Sequence, residues 1–82
     1  MKIKHSYRIA IQTKYIGPTN YRWSRVKAFG PDGQTLTLDW DDALNMEENH
    51  AEAVKALCKK FEWGGTWTLG GTKIGYCAVQ TN

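Results

Sequence analysis

Tyr21-Arg22-Trp23-Ser24-Arg25-Val26-Lys27-Ala28-Phe29, then Gly30-Pro31-Asp32-Gly33, then Gln34-Thr35-Leu36-Thr37-Leu38-Asp39-Trp40: this run decides the fold. It alternates with period two on both sides of a turn, the mark of strands whose successive side chains point to opposite faces. Asp-Gly between alternating segments is a strong short-range hairpin signal. Leu36, Leu38 and Trp40 form the apolar set of the second arm, with Thr35, Thr37 and Asp39 facing water. The first arm offers a small set (Ser24, Val26, Ala28) and a large basic and aromatic set (Tyr21, Trp23, Arg25, Lys27, Phe29).

Working outward, Lys4 to Ile16 also alternates, with Tyr7, Ile9, Ile11, Thr13 and Tyr15 on one side and Arg8, Ala10, Gln12, Lys14 and Ile16 on the other. Gly17-Pro18-Thr19-Asn20 ends that strand in turn-forming residues. After the third strand, Asp41 to Asn45 is a polar connection. Asn45 with Glu48 predicts a capping box, and Glu47 and Glu48 at one end with Lys59 and Lys60 at the other suit a helix dipole. The helix runs to about Phe61, with an apolar stripe of His50, Val54, Leu57, Cys58 and Phe61. Glu52 and Lys55 form a favourable i,i+3 pair, Glu48 and Glu52 an unfavourable i,i+4 one. Gly64-Gly65 separates the helix from two further strands, Thr66 to Leu69 and Lys73 to Gln80. In the last strand Ile74, Tyr76 and Ala78 compete with Cys77 and Val79 for the buried face. The expectation is a single α+β domain over residues 1–82, in the order β-β-β-α-β-β, with an antiparallel sheet and one helix packed across one face.

The charge is divided along the chain. Lys2, Lys4, Arg8, Lys14, Arg22, Arg25 and Lys27 are unopposed by any acid in the first 31 residues. All eight acids fall between Asp32 and Glu62, where they meet only Lys55, Lys59 and Lys60, and the whole chain has a net charge of +3. A split of this size suggests a one-signed face with an anionic partner. If the small residues of the second strand lie under the helix, as packing favours, Trp23, Arg25 and Lys27 join Arg8 and Lys14 on the open face. Lysine and arginine would contact phosphates and Trp23 would stack on a base, with Arg22 and the Gly17–Asn20 loop at the rim. Such a face also suits protein partners, for which Trp, Tyr and Arg are common anchors, and a wet sheet face carries Lys and Arg in any case to discourage edge pairing.

Enzymatic chemistry is not expected. The glycine pairs lack the lysine, serine/threonine and helix of a phosphate-binding loop. Neither Cys-x-x-Cys nor His-x-x-x-His spacing occurs, so no metal site and no cofactor is expected. His50 and Cys58 are eight residues apart on one helix, roughly 12 Å and too far for a nucleophile and its base. The Asp39, Asp41, Asp42 cluster reads as a solvated corner with a local cap, and His50 as a packing histidine. Cys58 and Cys77 read as free thiols. Neither a signal-peptide core nor a membrane-length apolar run is visible, so a cytoplasmic protein without a membrane partner is expected.

The stretch Gln12-Thr13-Lys14-Tyr15-Ile16-Gly17-Pro18-Thr19-Asn20, followed by Ser24-Arg25-Val26-Lys27-Ala28, resembles a family of short uncharacterised proteins of bacteriophages, plasmids and other bacterial mobile elements. Ala43-Leu44-Asn45, Glu48-Asn49-His50 and Trp63-Gly64-Gly65 fit the same resemblance, which covers most of the chain. Trp23 departs from the pattern, which has glycine before that serine. The resemblance implies no activity and no site residues, but mobile-element origin brings in a second class of function: an accessory protein that binds a host protein complex, as an anti-CRISPR-like inhibitor of host defence does. A DNA mimic is disfavoured by the net positive charge, since only the helix side, with Glu47, Glu48, Glu52 and Glu62, could imitate phosphates. By order of elements, residues 1–62 are also similar to the three-stranded-sheet-plus-helix DNA-reading domains of some integrases, an analogy of fold alone.

Overall fold

The computed structural model describes residues 8–81. It contains β1 (Ala10–Ile16), β2 (Arg25–Phe29), β3 (Thr35–Asp39), α1 (Met46–Phe61), β4 (Trp67–Gly71) and β5 (Gly75–Gln80). The five strands form one antiparallel sheet in the spatial order β3-β2-β1-β5-β4, with the helix on one face. The element order and the α+β class are those the sequence predicts. Lys4–Tyr7 of the expected first strand lie outside the described residues.

Register sets which side chains meet the helix. Thr13 stands opposite Ala28, Tyr15 opposite Val26, and these in turn beside Leu36 and Leu38. Val26 and Ala28 of the small set therefore lie under the helix, as packing favours. In β5 the ambiguity resolves for Tyr76 and Ala78, which stand opposite Thr13 and Ile11. Cys77 and Val79 take the other face, and Ile74 is exposed in the β4–β5 turn. Ile11, Val26, Ala28 and Ala78 from the sheet meet Ala53, Val54, Leu57 and Cys58 from the helix in one core. Cys58 and Cys77 are free and lie on opposite sides of the sheet.

The structure departs from expectation at the start of β2 and in the apolar stripe of α1. Tyr21–Ser24 is not part of β2, because Thr19 takes hold of that segment: its hydroxyl accepts from the Tyr21 and Arg22 N–H groups at 3.2 and 3.1 Å, and its own N–H donates to the Arg22 carbonyl. The backbone groups are thus spent on a turn, and pairing starts later. Phe61 is not on the buried stripe; it is exposed and stacks on Trp63 at 5.5 Å between ring centroids. The positions that fill the interface are Asn49 and Ala53. The helix ends at Phe61, as the sequence predicts, and Glu62 closes it. Glu62 adopts the left-handed conformation (φ 58°), and the Trp63 N–H bonds the Cys58 carbonyl at 2.8 Å, a Schellman closure.

The N-terminus of the helix is as the sequence predicts. The Asn45 side chain accepts from the Glu48 N–H at 2.8 Å, and Glu48 returns a bond to the Asn45 N–H at 3.0 Å. Asn49 then ties the helix to the β3–α1 corner. Its Oδ1 accepts from the Asp41 N–H, and its Nδ2 donates to the Asp41 and Asn45 carbonyls, all within 3.1 Å. A buried amide with this many bonds fixes where α1 starts relative to the sheet. No helix among the described residues is long and apolar enough to cross a membrane.

Candidate nucleic-acid interface

The face opposite α1 is built by the alternate positions of the same strands. In β1 these are Gln12, Lys14 and Ile16; in β2, Arg25, Lys27 and Phe29; in β3, Thr35, Thr37 and Asp39. Antiparallel register lays them out in rows. One row runs Thr37, Lys27, Lys14, Gly75, and the next runs Asp39, Arg25, Ile16. Phe29 and Gln12 stand in the row on the other side of the lysines, with Thr35 and Cys77.

Lys14 and Lys27 are thus direct cross-strand neighbours. Their Cβ atoms lie about 5 Å apart in such a pair, and like charges placed so are destabilising. Among the described residues the only ion pair within 4 Å is Lys55–Glu52, on the helix, so no carboxylate neutralises either lysine. On its other side Lys14 adjoins Gly75, which offers bare backbone. A Cβ at Gly75 would collide with the Thr13 carbonyl oxygen, so this close approach of β5 to β1 requires glycine. Arg25 stands opposite Asp39 without forming an ion pair, and its Nε is buried with no hydrogen-bond partner. The buried Nε is out of a ligand's reach, so a contact by Arg25 would be made through its terminal amino groups.

Not every expected residue joins this cluster. Lys14, Arg25 and Lys27 are brought together. Arg8 is exposed but lies six residues before Lys14, about 20 Å along the strand direction, at the far end of the face. Trp23 is on the β1–β2 loop rather than on the sheet, and is 85% exposed, with Arg22 and the 94%-exposed Tyr21 beside it in the sequence. Thr19, Asn20, Tyr21, Arg22 and Trp23 line a shallow concavity of about 270 Å³. On its other flank Trp23 shares a cleft with Ser24, Trp40 and the acids Asp39 and Asp42. Positive charge therefore extends from Arg25 toward β1, away from those acids. Tyr21 is the loop residue that strand periodicity misplaced; the signal for its exposure is Thr19, whose hydroxyl suits the local turn that follows.

The helix-side polar groups have a different role. His50 Nδ1 lies 2.6 Å from the Thr13 hydroxyl, which in turn lies 3.3 Å from the Tyr76 carbonyl. The hydroxyl can donate to only one of these two acceptors, and the histidine tautomer decides which. Burial holds the His50 pKa below the ordinary histidine value. Trp40 and Tyr76 surround the ring, with centroids 5.8 and 4.7 Å away. Thr13 and His50 are both buried, so the pair offers no accessible nucleophile and serves as a packed polar joint between sheet and helix. Asp41 Oδ1 accepts from the Ala43 N–H, a local turn. Among the described residues no three His, Cys, Asp or Glu side chains group as metal ligands. Comparison of the chain with protein-family models, with curated proteins and with solved structures finds no match.

Proposed function

We propose that this protein is a non-enzymatic nucleic-acid-binding module whose contact surface is the open sheet face around Lys14, Lys27 and Arg25. The observation that carries the reading is the Lys14–Lys27 pair: two ammonium groups held side by side across β1 and β2 with no carboxylate of the described residues within salt-bridge distance. In the free protein they repel. A phosphate between them turns that repulsion into two attractions and releases condensed counterions from the polymer. Arg25 adds a fork suited to phosphate oxygens. Arg22, with Tyr21 and Trp23, reaches out from a loop tied by Thr19, where an aromatic ring can stack on an unpaired base.

Charge reversal separates this reading from a merely solubilising surface. Lys14→Glu with Lys27→Glu is expected to weaken binding to labelled single- and double-stranded oligonucleotides at least about tenfold. Circular dichroism should remain that of the folded protein, because both side chains project away from the core. Unchanged affinity in the double variant would sink the proposal. A protein partner finds its support elsewhere, on the opposite side of the molecule.

A further inference from the structure

One helix does not cover this sheet. Five strands spaced about 4.8 Å apart span roughly 19 Å, whereas a helix is about 10 Å wide. α1 packs mainly on β2, β3 and β1, with little contact on β5. The strip of β5 and β4 on the helix side is left open, about the width of one more helix. A groove of about 520 Å³ occupies this strip. Its floor is Trp67, Leu69 and Ala78. Its wall is a stripe of α1 at the spacing i, i+3, i+4, i+7, i+8: Ala51, Val54, Lys55, Cys58 and Lys59. The small side chains Ala51 and Cys58 along that wall permit close approach of a neighbouring helix.

The groove is held in shape before anything enters it. The Trp67 indole N–H and the Gln80 side chain both donate to the Gly64 carbonyl, at 3.2 and 3.0 Å. Trp63, fixed by the closure at the end of α1 and stacked on Phe61, stands at the same end. The charge on the wall has one sign. Among the described residues Lys59 has no carboxylate within 4 Å, and Lys55 shares only the exposed Glu52, at 3.2 Å. A second copy of this chain would add the same two lysines to the interface, whereas a separate partner can present carboxylates to both.

We propose that the groove between α1 and β4 seats one amphipathic helix of a partner protein, its apolar face on Trp67, Leu69 and Ala78 and an acidic flank beside Lys55 and Lys59. The completed arrangement is two helices side by side over five strands, with the apolar floor removed from water. The site is on the face opposite Lys14 and Lys27, so both partners can be bound at once.

The probe is a fluorescein-labelled helical peptide of about 16 residues, the length of α1, with leucines repeating at helical spacing and glutamates beside them. A second peptide has the same leucines with lysines in place of the glutamates. Fluorescence anisotropy should show the acidic peptide binding more tightly than the lysine peptide. Lys55→Glu with Lys59→Glu should reverse that order, each affinity moving about tenfold or more. The charge-swapped variant should still bind oligonucleotides, which verifies its fold independently. Equal affinity for the two peptides, saturation by neither, or a concentration-dependent dimer that occupies the groove would each overturn the proposal.

Discussion

His50 and Lys27 show two opposite uses of a titratable side chain. His50 is buried between Thr13, Trp40 and Tyr76. Burial opposes its protonation, so its pKa in the fold lies below the value of about 6.5 in the unfolded chain. Above about pH 6.5 both states are neutral and His50 gives no pH dependence. As pH falls through that value the unfolded chain takes up the proton first, and stability declines by up to about 1.4 kcal/mol per pH unit. Urea titrations between pH 7.5 and 5 should record this decline, and His50→Gln should flatten it. Lys27, by contrast, is charged beside Lys14 at a cost to the fold. Lys27→Gln keeps the side-chain stem but removes the repulsion, and is expected to raise stability by a few tenths of a kcal/mol at low salt while weakening nucleic-acid binding. The stability gain should shrink as salt screens the pair. At this scale the sequence is legible in part. Alternation places Lys14, Arg25 and Lys27 on one face, but which residues of two strands stand opposite each other depends on register, so the lysine pair is visible only in the folded sheet. Asn49, a polar residue inside an apolar interface, was hidden for a similar reason: its partners, the Asp41 and Asn45 backbone groups, are assembled by the turn into the helix.

The elements were legible where local chemistry acts alone. Asn45 and Glu48 name the start of α1 because a capping box is closed within four residues. The other end falls at Phe61, as the sequence predicts, but the residue that closes it is Glu62, which takes the left-handed position itself ahead of the glycines at 64 and 65. That residue is doubly unfavourable there, with a side chain in a conformation suited to glycine and a negative charge at the negative end of the helix dipole. Glu62→Gly is therefore expected to raise stability by up to about 1 kcal/mol, as thermal or urea denaturation would record. A loss of stability would mean that Glu62 makes a compensating contact. β2 was predicted four residues too long for an equally local reason. Alternation continues through Tyr21–Ser24, but Thr19 draws that backbone into a turn, and the result is an exposed loop carrying Tyr21, Arg22 and Trp23 instead of an extended arm.

At the scale of the whole molecule, the sheet separates two surfaces of different character. The open face has Lys14, Lys27 and Arg25 in adjoining rows, and the helix side has an apolar groove where α1 leaves β4 and β5 uncovered. The first surface was foreshadowed by seven basic residues without an acid in the first 31 positions. The second was implicit in the element count, since one helix cannot cover five strands, but its location required the sheet order, with β5 and β4 added beside β1 rather than beyond β3. The central claim, that the open face binds the phosphates of a nucleic acid, is tested most directly by the salt dependence of oligonucleotide affinity. With Lys14, Lys27 and Arg25 as the phosphate contacts, the logarithm of the association constant should fall against the logarithm of salt concentration with a slope of about −2 for single strands and about −3 for duplex. Lys14→Glu with Lys27→Glu should bring that slope close to −1 or below detection. Absence of binding at low salt, or a slope that the double variant leaves unchanged, would contradict the account.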